Sequence, residues 1–219
     1  MQPYFFPYAG YFRLFAAADQ FVIFDCVQFP RRGRVHRTEV PGANGAPEWL
    51  TLPLAYHPRD VFIRDLRFAR DARERFDRCL AGLPWIRSAA GPSAERVRAF
   101  LATPLDSVID YLVTGLRLVV DLLGFQTSII RSSSLDLNPS LRGQARVIAA
   151  VQAVGGACYL NPPGGRALYD AATFRHAGLE LAFLTPYGGR YVHLLPAVMM
   201  QPAEDICRDV HATCGVAAD

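Results

Sequence analysis

Short apolar runs rich in Val, Ile and Phe alternate along this chain with amphipathic stretches of helical period. This alternation is typical of buried strands linked by helical crossovers, because a parallel sheet is covered by helices on its faces. Residues 21–25 are predicted to form a buried strand, preceded by a short helix over residues 10–18. The pattern therefore predicts an α/β fold with a mostly parallel sheet and flanking helices.

The second half of the chain gives the clearest prediction of individual elements. Apolar residues recur every three or four positions over residues 104–123 and Gly124 follows as a stop, so this stretch is predicted to be a helix. Beyond it we predict a β-α-β-α-β order, with the elements in turn at residues 128–131, 141–154, 157–160, 171–177 and 179–184. Less regular stretches predict a hairpin-like segment at residues 41–47 and strands at residues 51–54 and 61–66. An arginine-rich helix is predicted to end near Cys79, and a last helix is predicted at residues 202–214.

One domain is predicted to span residues 1–219, with a small helical part roughly over residues 66–123, because a chain of this length can form one continuous core. Its longest apolar stretches are interrupted by polar residues and are too short to cross a bilayer, so no membrane partner is predicted. The start of the sequence has neither a basic leader nor a signal cleavage site, and a cytoplasmic location is therefore expected.

The titratable residues exclude several classes of site. The five cysteines are scattered without a Cys-x-x-Cys pair, which argues against a disulfide framework and against a zinc site. The five histidines show no metal-binding spacing either, so no metal is predicted. The chain contains no lysine, which excludes a lysine nucleophile, and its net charge of +3 is modest for a nucleic-acid binder.

The first segment that can carry chemistry is the aromatic run of residues 2–12, in which two prolines stiffen a loop and Gly10 leads into the predicted helix. Such a loop can hold aromatic rings against a ligand. The alternative is an N-terminal arm that packs on the core. The residues of this segment that are predicted to bind substrate are Gln2, Tyr4, Tyr8 and Tyr11.

The second segment, residues 25–37, joins the end of the first strand to a cluster of arginines. Guanidinium groups bind phosphate and carboxylate through paired hydrogen bonds, and α/β proteins usually bind ligands at the carboxyl ends of their strands. We therefore predict an anion site here, and the alternative is a solvated basic loop. The predicted ligand-binding residues are Gln28, Arg31, Arg32, Arg34 and Arg37.

The same segment supplies the candidate catalytic residues. Asp25 and His36 are candidates for handling a proton of the acceptor, since carboxylates and imidazoles are common general bases. Cys26, beside Asp25, is a candidate nucleophile. The alternative for each of the three is a purely structural role.

Residues 159–170 form the third segment, in which a predicted strand ends in a Pro-Pro turn and a glycine pair. Backbone amides freed by the glycines can receive an anion or position a carbonyl oxygen, and an asparagine can orient a polar substrate. A turn without a ligand is the alternative. The spacing matches neither a P-loop nor a dinucleotide fingerprint, so no cofactor is predicted. The predicted binding residues are Asn161, Gly164, Gly165 and Tyr169.

Together the three segments resemble the WbqC-like family of bacterial proteins. Residues 2–12 match the family pattern Gln-Pro-x-(Tyr/Phe)-x-Pro-x-x-Gly-Tyr-Phe. The blocks Asp-Asp-Val-(Gln/Asn)-Phe, Arg-Gly-Trp-x-x-Arg and Tyr-Leu-Asn-x-x-Gly-Gly-x-x-Leu-Tyr are similar to residues 25–29, 32–37 and 159–169. The chain departs from the family at Cys26, Arg34 and Thr38, where aspartate, tryptophan and often asparagine are usual, and these departures put the substrate in question.

The resemblance implies a biosynthetic transferase that decorates a sugar or a small natural-product intermediate, because family members are usually encoded among genes for O-antigen, capsule or natural-product assembly. Transfer of an acyl or aminoacyl group to an amine or hydroxyl is the expected reaction. The implied partners are a small-molecule acceptor and an activated anionic donor, either nucleotide-linked or an aminoacyl-tRNA, and a homodimer is a further expectation. Family members also carry strand-forming residues before the Gln-Pro motif, and whether such residues precede Met1 stays open.

Two rival functions stay open. A non-catalytic protein that binds a nucleotide sugar or a carrier-linked intermediate would use the same arginines without acid–base chemistry. A tRNA-interacting protein would use the arginines of residues 64–78, and its binding would depend steeply on salt. Acidic residues are interleaved in that stretch, so we predict a salt-bridged, solvated helix there instead.

Overall fold

The computed structural model describes residues 1–218, and the order of its elements follows the predicted alternation most closely in the second half of the chain. The strands are β1 Gln20–Ile23, β2 Arg37–Pro41, β3 Pro47–Thr51, β4 Ser128–Arg131, β5 Cys158–Asn161, β6 Glu180–Leu184 and β7 Val216–Ala218. The α-helices are α1 Arg13–Ala17, α2 Ala72–Ala81, α3 Pro84–Ser88, α4 Pro92–Leu101, α5 Val108–Leu122, α6 Gly143–Ala153, α7 Ala171–His176, α8 Leu194–Met200 and α9 Ala203–Ala212. Short 3-10 helices lie at Ala9–Phe12, Ile63–Asp65, Ser132–Ser134 and Pro163–Leu168.

The strands form three small sheets and not the single, mostly parallel sheet that the sequence predicted. β1 pairs in parallel with β4, and β5 pairs in parallel with β6, whose other edge carries the antiparallel β7. β2 and β3 form a separate antiparallel hairpin around residues 41–47, which confirms the hairpin-like segment. The chain therefore combines helices and strands as predicted, but parallel pairing is shared with antiparallel pairing.

A cavity separates the two sheets that contain parallel strands. Met1 lies against β1, because its amino group donates to the Val22 carbonyl (2.7 Å) and its carbonyl accepts from the Phe24 amide (2.8 Å). β1 and β5 belong to different sheets, and beside Met1 residues of both strands line a cavity of about 290 Å³. Burial lowers the pKa of the Met1 amino group to about 5.

Most of the predicted helices are confirmed with shifted bounds. α5 begins at Val108 because the Ser107 hydroxyl caps it by accepting from the amide of Asp110 (3.3 Å). The predicted strand over residues 61–66 is wrong, since this stretch contains the 3-10 helix Ile63–Asp65. Residues 187–200, which carry no clear sequence pattern, contain α8.

Two hydrophobic clusters hold these elements together. The larger cluster joins the N-terminal aromatic run to α4, α5 and α8, and it includes Phe12, Phe100 and Leu195. A smaller cluster, which includes Phe174 and Phe183, packs α6 and α7 on the β5–β6 pair. Burial of these apolar side chains is the main stabilising contribution to the fold.

The prediction of a single domain stays a prediction. Within residues 1–218, no helix combines the length and the apolar character needed to cross a membrane.

One fully buried arginine ties the two ends of the chain together. Arg13 has no exposed surface, and its guanidinium donates to the carbonyl oxygens of Gly10 (3.2 Å), Thr185 (2.9 Å) and Thr213 (2.7 Å). Its guanidinium carbon also lies 5.2 Å from the centre of the Tyr187 ring. A buried cation needs such acceptors, because its lost hydration is otherwise uncompensated. Arg13 therefore fixes α1 to the segments that follow β6 and α9.

Replacing Arg13 with lysine is expected to lower the free energy of unfolding by about 3 kcal/mol, because a single ammonium group cannot reach the three carbonyls that a planar guanidinium spans. Urea unfolding followed by circular dichroism measures the change. The matched control is Arg117→Lys at an exposed position on α5, which should change stability by less than about 0.5 kcal/mol. Equal stability of the two variants would contradict this role of Arg13.

Candidate functional site

The carboxyl ends of β1, β4 and β5, each of which pairs in parallel with another strand, meet at one cleft. Residues that follow β1 and β4, and the last residue of β5, line two adjoining cavities of about 360 and 560 Å³. Val27, Gly143 and Arg146 line both cavities, so the two form a continuous cleft. Ligands of α/β proteins usually bind at this edge of a sheet. We call the smaller cavity, at Cys26, the basic end and the larger one, at Asn161, the aromatic end.

The basic end brings together three arginines from different parts of the chain. Arg142 directly precedes α6 and Arg146 lies in its first turn, four residues further on, so both lie on one side of that helix. Arg64 comes from the 3-10 helix Ile63–Asp65, where it also forms an exposed ion pair with Asp65 (3.8 Å). Gln28, one of the predicted ligand-binding residues, lines the same end. Three guanidiniums around one cavity suit an anionic ligand.

A buried carboxylate lies beneath the basic end. Asp25 is 1% exposed, and its Oδ1 accepts from the Ser132 hydroxyl (2.8 Å) and from the Ser133 amide (2.9 Å). Its Oδ2 accepts from the Ser133 hydroxyl (2.5 Å). These bonds join the end of β1 to the 3-10 helix after β4. Ser133 is exposed and lines the cleft, so its hydroxyl lies between the cavity and a carboxylate that is itself buried.

Cys26 lies at the same place and has three polar neighbours. Its sulfur is 2.9 Å from the hydroxyl of Ser132, and Arg146 donates to it through Nη2 (3.1 Å). The thiol also approaches Oδ1 of Asp25 (3.7 Å). The structure therefore brings together two of the three candidate catalytic residues, and it adds a serine and an arginine to them. The nucleophilic role of Cys26 stays a prediction.

The aromatic end of the cleft is lined by tyrosines and an asparagine. The Tyr159 hydroxyl donates to Oδ1 of Asn161 (3.3 Å) and lies 3.4 Å from the hydroxyl of Tyr169. Burial raises the pKa of Tyr159 well above its usual value, so this hydroxyl stays protonated at neutral pH. Leu168, which is 71% exposed, adds apolar surface. This end therefore offers a ligand both hydrogen-bonding groups and ring surface.

The two glycines of the third segment play different parts at the aromatic end. A Cβ atom on Gly165 would lie 1.8 Å from Nδ2 of Asn161, so only glycine permits this approach. A Cβ atom on Gly164 would meet nothing within 4 Å. Both glycines line the cleft as the sequence predicted, but only Gly165 fixes the position of Asn161.

The N-terminal aromatic run divides between the cleft and the core. Gln2 and Tyr4 line the aromatic end. Tyr11 is 2% exposed, and its hydroxyl donates to the carbonyl of Gln2 (2.7 Å). It therefore holds the start of the aromatic run from within the core. Tyr8 packs edge-on against Tyr187 with the ring centres 5.4 Å apart. Neither Tyr8 nor Tyr11 lines the cleft, and both pack on the core, which is the alternative stated for this segment.

The arginines that the sequence predicted as anion ligands lie outside the cleft. Arg31 and Arg32 line a separate open cavity, which borders the basic end. Arg34 and Arg37 lie over the ring of Trp49, with their guanidinium carbons 5.0 and 4.3 Å from its centre. The spacing of the arginines in the sequence could not show where Arg34 and Arg37 lie, because the direction of their side chains depends on the contact with Trp49 of strand β3.

His36 also lies apart from the cleft. Its ring packs edge-on against Phe29 with the centres 5.1 Å apart, and its Nδ1 is buried without a hydrogen-bond partner. Burial first, and then the charges of Arg37 and His57, lower the pKa of His36 to about 4. The imidazole is therefore neutral at pH 7, and its position does not support the role of a general base in the cleft.

Sequence reasoning missed the residues that complete the basic end. They lie directly after β4, at the start of α6 or in the 3-10 helix Ile63–Asp65, and they are Ser132, Ser133, Arg142, Arg146 and Arg64. The serine run was a usable signal, because it directly follows the predicted strand at residues 128–131. Arg142 and Arg146 carried no comparable signal, since arginines near a helix start resemble any solvated face.

The arginine-rich helix α2 is solvated and salt-bridged, as predicted. Each of its ion pairs joins residues four apart: Arg73–Asp77 (2.5 Å), Arg75–Asp71 (3.6 Å) and Arg78–Glu74 (3.5 Å). Over the part of the chain that the structure describes, no group of three or more histidines, cysteines or acidic residues is arranged to hold a metal ion.

The parallel-paired strands of this α/β architecture end around an arginine-lined cleft, so the class of protein defined here is one with a candidate ligand site at its strand ends. The chain belongs to the WbqC-like protein family, whose model matches residues 2–194. The matched span contains both ends of the cleft and confirms the resemblance of the three sequence segments. A search of curated proteins and a search of solved structures each found no match.

Gly165→Ala is expected to lower the free energy of unfolding by about 1–3 kcal/mol, because the added methyl group must displace the side chain of Asn161. Gly164→Ala is the matched control, since its methyl group would meet no neighbour, and it should change stability by less than about 0.5 kcal/mol. Urea unfolding of both variants measures the difference. Equal effects would show that Asn161 is not held by this contact.

His36 is expected to make stability rise with pH between about 4 and 6.5. In this window the unfolded state binds a proton at the imidazole, whose ordinary pKa is 6.5, whereas the folded state, with its pKa lowered to about 4, does not. Acid therefore favours the unfolded state. The His36→Gln variant should lose less stability than the wild type between pH 7 and pH 4.5 in urea unfolding. An unchanged difference between the two pH values would refute the lowered pKa.

Proposed function

We propose that the protein is a group-transfer enzyme, which moves an acyl or aminoacyl group from an activated anionic donor to an amine or hydroxyl of a sugar or small natural-product intermediate. The observation that carries the proposal is the contact of exposed Ser133 with buried Asp25 inside an arginine-lined cavity. A protein that only binds an anion needs the arginines. It does not need a hydroxyl that connects the ligand to a buried carboxylate.

The two ends of the cleft suit the two substrates. The guanidiniums of Arg64, Arg142 and Arg146 would bind the anionic part of the donor at the basic end. At the aromatic end, Asn161 and Tyr169 would orient a polar acceptor, since both offer hydrogen bonds beside apolar ring surface. Because the ends form one continuous cleft, the two substrates would meet near Gly143 and Val27.

The proposed transfer needs a path for one proton. The acceptor nitrogen or oxygen forms a bond to the carbonyl carbon of the donor, and the bond from that carbon to the leaving group breaks. The leaving group keeps the electron pair next to the arginines. The acceptor proton passes to the hydroxyl of Ser133, whose own proton passes to Oδ2 of Asp25. Asp25 would therefore act through Ser133 and would not touch the substrate.

Cys26 offers a second site for the acyl group on the same wall of the cleft. Its sulfur could bond to the acyl carbon as a thioester while the bond from that carbon to the donor's leaving group breaks, and the thiol proton would pass through Ser132 to Asp25. The acceptor would then bond to the same carbon as the C–S bond breaks, and the sulfur would take up one proton in exchange for the one that the acceptor loses. Intact mass spectrometry of the protein with donor alone separates this two-step route from direct transfer, because only the two-step route leaves an acyl group on Cys26.

Ser133→Ala is expected to lower kcat/KM about a hundredfold, because the proton path to Asp25 is lost. The matched control is Ser134→Ala, whose hydroxyl donates to the carbonyl of Arg131 (2.8 Å) and does not line the cleft. Ser133→Thr keeps a hydroxyl and should restore much of the activity. The assay offers acyl-CoAs, nucleotide sugars and aminoacyl-tRNAs as donors with simple amine acceptors and detects products by mass spectrometry.

Two results would count against the transferase. Equal turnover by the Ser133→Ala and Ser134→Ala variants would remove the proton path. A donor that binds to the wild type and yields no product with any acceptor would favour the rival function, a non-catalytic protein that binds a nucleotide sugar or a carrier-linked intermediate.

A further inference from the structure

The arginine-rich loop singled out by the sequence forms a second basic surface outside the cleft. Arg31 and Arg32 line an open cavity of about 590 Å³ together with Arg59, which comes from a different loop. Hydrogen bonds hold the two loops together: the Gln28 side chain donates to the Arg59 carbonyl (2.8 Å), and Arg31 donates to the His57 carbonyl (3.1 Å). Arg31, Arg32 and Arg59 thus line one cavity that is open to solvent.

This surface continues onto the hairpin of β2 and β3. Trp49 is 41% exposed there, and Arg34 lies over its ring. Arg37 lies over the same ring but donates to the carbonyls of Arg32 (2.7 Å) and Gly33 (3.1 Å). Arg37 therefore shapes the loop from within, whereas Arg34 adds positive charge to the surface.

A fully exposed aromatic side chain lies in the same loop as Arg59. Tyr56 is 97% exposed, so packing within the protein does not account for it. It directly precedes His57, whose carbonyl binds Arg31. Exposed rings beside arginines are typical of surfaces that bind single-stranded nucleic acid, because bases stack on the rings and guanidiniums bind the phosphates.

The basic surface borders the cleft on two sides. Gln28 lines both the open cavity and the basic end, and Asp60, the neighbour of Arg59, also lines the basic end. On the other side, Arg34 of the basic surface lies near Tyr4, which lines the aromatic end. Burial raises the pKa of Tyr4, and the nearby positive charge of Arg34 opposes this rise. A chain-like ligand that lies on the basic surface can therefore place its end in the cleft.

We infer that this surface binds the single-stranded 3′ end of an RNA, with phosphates on Arg31, Arg32, Arg34 and Arg59 and a base stacked on Tyr56. The positive charge is spread over two loops and extends to Trp49 of the hairpin through Arg34, which matches a chain of phosphates better than a single diphosphate. The inference differs from RNA binding through α2, where arginines are already paired with acids.

The inference rests on the proposed function and names its donor as an RNA that carries an aminoacyl ester at its 3′ end. The acceptor nitrogen bonds to the ester carbonyl carbon and the C–O bond to the RNA breaks. The 3′ oxygen leaves with the electron pair and ends as a hydroxyl, after taking up one proton in exchange for the one that the acceptor loses. No other reactant is needed.

The test measures binding of a fluorescein-labelled single-stranded RNA of about 12 nucleotides by anisotropy over a range of salt concentrations. The double variant Arg32→Ala with Arg59→Ala is compared with Arg75→Ala with Arg78→Ala, which removes the same charge from α2. The first variant is expected to bind about tenfold more weakly or worse, with a salt slope lower by about 1.4. The α2 variant should bind like the wild type.

Tyr56 gives an independent readout. Tyr56→Ala should weaken RNA binding about tenfold, because one stacked base is lost, whereas Tyr56→Phe should keep the affinity of the wild type. Neither change should affect folding, since the side chain is exposed. UDP and pyrophosphate serve as small competitor anions.

The outcomes separate this inference from the proposed function. Absence of RNA binding, equal loss in the two double variants, or binding of UDP without RNA binding would overturn the RNA surface; if acyl-CoA or a nucleotide-linked donor is still turned over, the transferase stands with another donor. Conversely, RNA binding that depends on Arg32, Arg59 and Tyr56, with no product from any donor, would support the surface and defeat the transferase.

Discussion

The architecture of the site depends on one buried carboxylate. Asp25 is satisfied by the hydroxyls of Ser132 and Ser133, so the end of β1 and the turn after β4 cannot separate without leaving a charge buried and unsatisfied. The positions of Cys26 and of Arg146, which donates to its sulfur, follow from this junction. The basic end of the cleft is thus a consequence of how two parallel strands are joined below it.

Arginine serves as the only basic residue besides histidine, and its surroundings decide what each copy does. Arg13 is enclosed and satisfied by carbonyls, so it is a structural bond between distant segments. The arginines of α2 are neutralised along one solvated helix, and Arg37 is turned back into its own loop. The arginines that line the basic end and the neighbouring open cavity face positions that a ligand can reach.

The sequence predicted the second half of the fold because its helices have regular apolar stripes and its strands are short and well separated. It did not predict three sheets, since hydrophobic pattern does not show which strand edges pair and which face a cavity. Within the site, residues that end a strand were found, as Asn161 shows. Arg142 and Arg146, at the start of α6, were missed, and Arg34 was assigned to the anion site, because side-chain direction depends on contacts that are distant in sequence, such as that with Trp49.

The cleft also lies on the boundary between the two hydrophobic clusters. Tyr4 and Val27, on one wall, pack against the larger cluster, whereas Tyr159 and Tyr169, on the other, pack against the smaller one. A ligand that contacts both walls binds fully only while both clusters are intact. Its binding therefore raises the free energy needed to open either cluster locally. Occupancy of the cleft therefore makes two cores behave as one cooperative unit.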